Sequence, residues 1–596
     1  MIHAVDPRQN ALFDSFAGIF SPLARKRVEA GWQGTFRHVI LALLPVDVLA
    51  GAFDPALGRP TKELYSMAGL MFLMEFNDWT HEEAVDRYLF GQDVQYALNL
   101  PPSQVSLCTR TLERYLELFR QDGVAMRVHD EVTDHLASAL ELDVRRQRLD
   151  SSHVFSNMAT FGRTRLMGVT IKRFLTQVLR HDAAAYAALP EALRGRYAPS
   201  EHGLFGRQGK DAESRARLRQ QVADDMHLLV ERFADDAAHN GRSTYQALCR
   251  VFEEQCEVLA DKVSVKAKTG GNVIQNPSDM DATYDGHKGA GYQVQLSETC
   301  SPANEVQLIL CTQPETAAAS DDAALPGMIA SLETRDQLPG GPDTPGGPDT
   351  PGELLADTAY GADANVQTCA EHGVELVAPV PGRSPDPEEL TLADFVIDET
   401  TEEVRRCPAG HAPISSAHDL DTGKTHTEMD PAACAACPNQ DKCPVRQNKK
   451  SSRLDHTAHE RRIDQRRRAQ DTDAFRERYK KRAGIESTNS GLKRRTGLGR
   501  LRVRGKKSVF HAIYLKVAGW NIFRAAASKR MKALVVQRIQ QKTGTIDEKT
   551  EKNTSINPWN GKISLQRVLR WGLNALFRPP SDFRAHRTMT LIRAAA

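Results

Sequence analysis

The chain has almost no net charge: 78 Lys and Arg stand against 76 Asp and Glu across 596 residues, a formal +2. Bulk charge therefore says nothing for or against a nucleic-acid partner. Long apolar runs are also missing. None approaches the ~18 residues that a membrane span needs. The stretch from Val509 to Phe523 is broken by His511, Lys516 and Asn521 and reads as a packed amphipathic helix. The start, MIHAVDPRQN, lacks the charged-then-apolar pattern of a signal peptide. These absences point to the cytoplasm, where ten cysteines do not read as a disulfide framework. What remains is a globular composition, 40% hydrophobic and 26% charged, long enough for about three or four domains.

Charge is scarce only on average. Residues 446–507 carry 22 Lys and Arg against 7 Asp and Glu, the footprint expected of a polyanion partner. Within that stretch, Tyr479, Arg482, Glu486 and Lys493 follow the spacing Tyr-x2-Arg-x3-Glu-x6-Lys. On one continuous helix, the last three project to about 300°, 340° and 320° from Tyr479, a single narrow stripe. A carboxylate flanked by two cations and a phenol is a poor core and a good phosphate site. The carboxylate suits a divalent metal, and the cations suit phosphate oxygens.

Two further acids end apolar, strand-like runs. VRRQRLD reads as a strand ending in Asp150. ELLADTAYG reads as a strand ending in Asp357, with Gly361 opening a helix that returns through VELVAPV. That strand-helix-strand unit puts a carboxylate where parallel sheets place their chemistry. Phosphodiester chemistry uses two divalent cations about 3.5–4 Å apart, and carboxylates are the oxygen ligands that Mg2+ prefers. Only folding can bring Asp150, Asp357 and Glu486 together. Asp321 and Asp322 read as helix-capping or surface acids, and His287 with Lys288 as a turn between glycines in preference to a DNA contact.

Elsewhere, residues 1–140 read as helical, with a capping box at Thr80 and Glu83. Arg110 and Arg114 lie on a candidate recognition helix after Leu100-Pro101-Pro102, although a plain helical bundle fits equally. YQVQLSETC and EVQLILCTQ suggest an antiparallel hairpin. The hexamer GGPDTP occurs twice in residues 340–351 and reads as a spacer. Cys407, Cys434, Cys437 and Cys443, in RRCPAGH…CAACPNQDKCP, form a tetrahedral zinc pattern, with His411 a possible substitute ligand. Four filled positions would make such a site structural.

The YKKRAGIESTNSGLK segment resembles the signature around the third catalytic acid of bacterial insertion-sequence DDE transposases. RLDSSHVFSNM and LLADTAYG are similar to the first-acid and second-acid strands of that family. The resemblance implies an α/β architecture: an RNase H-like mixed sheet with helices, plus an N-terminal helical domain, a helical insert and a small zinc-binding insert. The corresponding division is 1–140 for DNA-end binding; 141–165, 275–400 and 475–530 for the catalytic core; 166–274 for the helical insert; 401–450 for the Cys-rich insert; and 531–596 for the tail. It implies Asp150, Asp357 and Glu486 as ligands of Mg2+ (or Mn2+), and Tyr479, Arg482 and Lys493 as phosphate contacts. It also implies a homodimer acting on DNA, both element ends and target, at the nucleoid, with no membrane and no small-molecule substrate. The expected reaction is strand cleavage at element ends followed by 3′-OH strand transfer. The alternatives are a non-catalytic DNA-binding descendant or a DNA nuclease of the same fold.

Overall fold

Five strands of a six-stranded mixed sheet are β1 (Arg146–Val154), β2 (Gly289–Thr299), β3 (Ile309–Thr316), β4 (Gly352–Leu355) and β5 (Val374–Val377), in the order β3-β2-β1-β4-β5; the sixth, the short Thr283–Asp285, also pairs with the start of β2. β1 is antiparallel to β2 and parallel to β4; β2 and β3 form the antiparallel hairpin, and β4 runs parallel to β5. A computed structural model describes residues 1–543 except 10–13, 199–202, 208, 261, 341–351, 387 and 449–450. The GGPDTP repeat after Gly340 and the tail beyond 543 lie outside the described residues. Met1–Ile539 is one compact unit; the second unit, Gln540–Ala596, is described only at the end of the helix Lys529–Thr543.

β1 does not stop at Asp150. Ser151 to Val154 continue the ladder because β2 runs on opposite them as far as Tyr292. Polar residues extend the strand here because their backbone groups already have partners. The parallel pairing does stop early, at Arg148 opposite Leu355. Asp150 therefore sits just past the end of its parallel neighbour, with most of its side chain buried.

The N-terminal helices cover one face of the sheet. Phe72 of α1 (Leu64–Asn77) and Val132 of α2 (Val124–Leu140) share a single apolar core with Leu149 of β1, Leu310 of β3 and Leu354 of β4. Most of the buried apolar residues of 1–140 thus share the sheet's core, and only a small cluster of Phe16, Val28 and Tyr96 stands apart among the described residues. Between β3 and β4 lies α3 (Asp321–Thr334), and between β4 and β5 lies α4 (Asp363–Glu371), which closes the strand-helix-strand unit. Residues 166–274 differ: Met167, Phe174, Met226 and Leu248 pack into a cluster of their own.

The Cys-rich segment forms an antiparallel sheet of β6 (Ser415–Asp419), β7 (Lys424–Met429), β8 (Arg446–Gln447) and β9 (Ser452–Thr457), in the order β6-β7-β9-β8. Two helices then complete the unit's other face, α5 (Gly484–Thr496) and α6 (Lys506–Ala527). Leu492 of α5 and Ile513 and Val517 of α6 bury against Tyr292, Val294 and Leu296, the alternate residues of β2. Among the described residues no helix is long and apolar enough to cross a membrane.

Candidate active site

The Tyr479-to-Lys493 segment is not one α-helix. The helix Asp473–Tyr479 gives way to a 3-10 turn, Lys480–Ala483, before α5 begins at Gly484. A side chain from β1 meets this turn: the Arg148 guanidinium donates to the Lys481 carbonyl at 3.3 Å. Arg148 is held from below by Glu298 of β2 at 2.5 Å, and Thr488 of α5 donates to the same carboxylate at 2.7 Å. A Cβ on Gly484 would lie 1.8 Å from the Arg148 Nη1, so the glycine lets this helix approach the strand.

The break does not scatter the stripe. Arg482 lies among all three acids: its Nη2 is 3.2 Å from Asp150 Oδ1 and 3.6 Å from Asp357 Oδ2, and its Nη1 is 3.6 Å from Glu486 Oε1. Asp357 lies two residues beyond β4 and caps a short 3-10 turn by accepting from the Ala359 N–H at 2.9 Å. Exposure rises from Asp150 to Asp357 to Glu486, at 15%, 34% and 69% of the side chain. Burial holds the Asp150 carboxyl above the ordinary range; Arg482 opposes that shift and Asp357 adds to it. Burial also raises the Tyr479 phenol, which feels Arg482 and all three acids. Lys493 is pushed down by burial, with Asp150 pulling the other way and Lys288 reinforcing the shift. The fold thus gathers these six residues at one edge of the sheet.

Three residues that the sequence reading did not place in the site join them. Asn489 donates to Asp150 Oδ2 at 3.0 Å, while its own Oδ1 is buried without a partner. It stands three residues after Glu486, one turn along the same face, so extending the stripe would have found it. Asp321, read as a cap or surface acid, accepts from Ser151 Oγ at 3.1 Å and Gln295 Nε2 at 2.8 Å, and adds to the shift at Asp150. Lys288 does sit in the expected turn, its N–H bonded to Asp285, but its ammonium also reaches Ser151 at 3.0 Å. Nothing local in the sequence marks either contact, since both depend on the register of β1 against its neighbours.

The far end of α5 is fixed as firmly as its start. Lys516 of α6, almost fully buried, donates to the carbonyls of Glu75 at 2.8 Å and Thr496 at 2.6 Å and to Asp78 at 3.0 Å. Beyond α5, main-chain bonds tie Phe155 to Gly499 and Leu501, and Asn157 to Val503.

In the Cys-rich module, Cys407, Cys434, Cys437 and Cys443 line one small cavity together with His411. The Cys407 turn closes through Gly410 N–H to Cys407 O at 2.9 Å and Cys407 N–H to His411 O at 2.9 Å. Burial raises the Cys443 thiol, with the other three cysteines adding, and no cysteine among the described residues is in a disulfide. As placed, the described residues form no group of three or more His, Cys, Asp or Glu spaced to hold a metal ion. At the acids, the Arg482 guanidinium occupies the ground between them.

Residues 406–526 match the family model described as Transposase DDE domain. The matched segment contains the four cysteines, Tyr479, Arg482, Glu486 and Lys493; Asp150 and Asp357 lie outside it. No curated protein matches the chain. A solved structure of piggyBac transposase, in a synaptic complex with hairpin DNA, aligns over 95% of this chain and 88% of that one. Its identity is 8% and its TM-score 0.27, too low to transfer anything.

Proposed function

We propose that the chain is a DDE transposase whose active site is Asp150, Asp357 and Glu486. The observation that carries this reading is the convergence of the three acids on one guanidinium, one of them inside the segment that matches the transposase domain. The sheet order β3-β2-β1-β4-β5, with its antiparallel hairpin and parallel half, supports an RNase H-like core. Three carboxylates from three elements are the donors a hard divalent cation takes, so the set suits Mg2+ or Mn2+ in chemistry, although not in its present spacing. When bound, such ions supply charge stabilisation at the attacking and leaving oxygens.

The chain's own residues do the rest. Arg482 and Lys493 grip phosphate oxygens, Tyr479 donates its hydroxyl to the DNA backbone, and Asn489 holds Asp150 in place. Water cuts one strand at the element end, leaving a 3′-OH and a 5′-phosphate; the freed 3′-OH then attacks a target phosphorus in line and displaces that strand's own 3′-oxygen, without a covalent protein intermediate. The exposed Arg110 and Arg114 on the helix Thr109–Phe119 would contact the element ends, two copies of the chain pairing them. The test is Mg2+-dependent cleavage of supercoiled DNA carrying those ends. Glu486→Gln is expected to lose cleavage and keep DNA binding. Equal behaviour of the two proteins would remove Glu486 from this role; cleavage without joining of supplied 3′-OH ends would favour a nuclease.

The cysteine cavity supports a structural Zn2+ on Cys407, Cys434, Cys437 and Cys443, the soft thiolate set that zinc takes. Purified protein is expected to hold one zinc per chain, and Cys434→Ser to lose it and loosen the module. A full-length protein without zinc, equally stable with Cys434→Ser, would refute the site.

A further inference from the structure

The spacing of the acids around Arg482 disagrees with a ready-made metal site. We propose that Arg482 is a resident counter-cation, exchanged for divalent metal only when DNA phosphate draws the guanidinium away. The inference rests on the reading of Asp150, Asp357 and Glu486 as metal-binding acids.

Three features support it. First, the same guanidinium approaches all three carboxylates, so it and a divalent ion compete for one patch of negative charge. Second, Arg482 is held loosely. One contact, at 3.2 Å to Asp150, is within hydrogen-bond reach, the others are 3.6 Å, and its Nε is buried with no partner. A phosphate can take the guanidinium fork in two parallel bonds, so a DNA backbone offers it a better partner than the present one. Third, two of the three acids have anchors other than Arg482. Asp150 is on a paired strand and retained by Asn489, and Asp357 is bonded to its own turn. With the guanidinium gone, like charges are left facing one another in a partly buried place, which favours uptake of a cation.

Coupling of this kind is reciprocal: if DNA raises metal affinity, metal raises DNA affinity by the same factor. Cleavage chemistry would then be assembled only on engaged DNA, and the exposed Glu486 would remain paired until that point.

The experiment is Mn2+ binding by the full chain, read from the loss of the free-ion EPR signal, with and without linear duplex DNA from sequence flanking the gene. Wild type is expected to bind weakly alone and roughly tenfold or more tightly with DNA. Arg482→Gln is expected to bind without DNA about as tightly as wild type does with it, and to lose the DNA effect. Arg482→Lys, which keeps the charge and loses the fork, is expected to fall between them. Circular dichroism of each variant, matching wild type, confirms that folding is intact, and Arg482→Lys serves if Arg482→Gln does not fold. Equal Mn2+ affinity of all three proteins without DNA would overturn the proposal and leave the metal-acid reading standing. No Mn2+ binding by any of them, with or without DNA, would overturn both.

Discussion

Two cations stand at the two ends of α5, and they are held in opposite ways. Lys516, at the C-terminal end, donates three hydrogen bonds of 2.6–3.0 Å, two of them to carbonyls of the last turns of α1 and α5. An ammonium has three protons, and all three are used. Its positive charge also faces two helix C-termini, where the backbone dipole welcomes it. Arg482, just before the N-terminal end, has one hydrogen bond to an acid, two longer contacts and a buried Nε without a partner. A satisfied buried cation is part of the frame; an unsatisfied one next to three acids is poised to change partners. The same helix is thus bolted at one end and left adjustable at the other.

Removing the bolt is expected to have the largest effect on stability. Lys516→Ala removes all three bonds, leaving the Thr496 carbonyl and Asp78 Oδ1 without their lysine donor and Glu75 O with the Asp78 N–H alone, and is expected to cost about 3 kcal/mol in denaturant unfolding. If the variant unfolds at the same denaturant concentration as wild type, Lys516 is not the fixed end. The adjustable end should behave differently. Asp150→Asn is expected to lower cleavage by at least about a hundredfold, yet to change stability by about 1 kcal/mol or less, towards greater stability. Its pH dependence sharpens the contrast. Burial raises the folded-state pKa of Asp150 above the unfolded one, so the protonated acid contributes stability that is fully present below the unfolded value. That contribution is lost as pH rises through the folded value. Asparagine stays neutral, so Asp150→Asn is expected to match wild type at low pH and gain on it as pH rises through that window. A variant that is less stable than wild type at every pH would show that Asp150, too, belongs to the frame.

The parts of this arrangement that were legible in the sequence are those written locally. The strand-helix-strand unit around Asp357 was visible because an apolar run, a turn and a helix follow one another, and the hairpin of β2 and β3 because its runs flank a turn. The Tyr479, Arg482, Glu486 and Lys493 spacing was visible as a pattern, although the helix it was drawn on is interrupted by the 3-10 turn Lys480–Ala483. The contact that turn makes with Arg148 could not be read, because its partner lies more than three hundred residues away and depends on β1 facing α5. For the same reason Asp321 and Lys288 looked like an ordinary cap and turn: their neighbours in space are residues of β1 and β2. The extent of β1 was underestimated because SSH is polar, and its ladder depends on a partner strand that follows more than a hundred residues later. The shared core of residues 1–140 with the sheet was equally hidden, since an amphipathic helix shows that it has an apolar face without naming what covers it.

The bonds joining Phe155 and Asn157 to Gly499, Leu501 and Val503 run through main-chain atoms alone. They help set how far the strand bearing Asp150 lies from the helix bearing Glu486, beside the side-chain bonds from Asn489 to Asp150 and from Thr488 to Glu298. The span between those two acids is therefore encoded in the count of residues as well as in their kind. Over this segment the chain behaves as a ruler: adding or removing one residue shifts the scale on which the active site is measured.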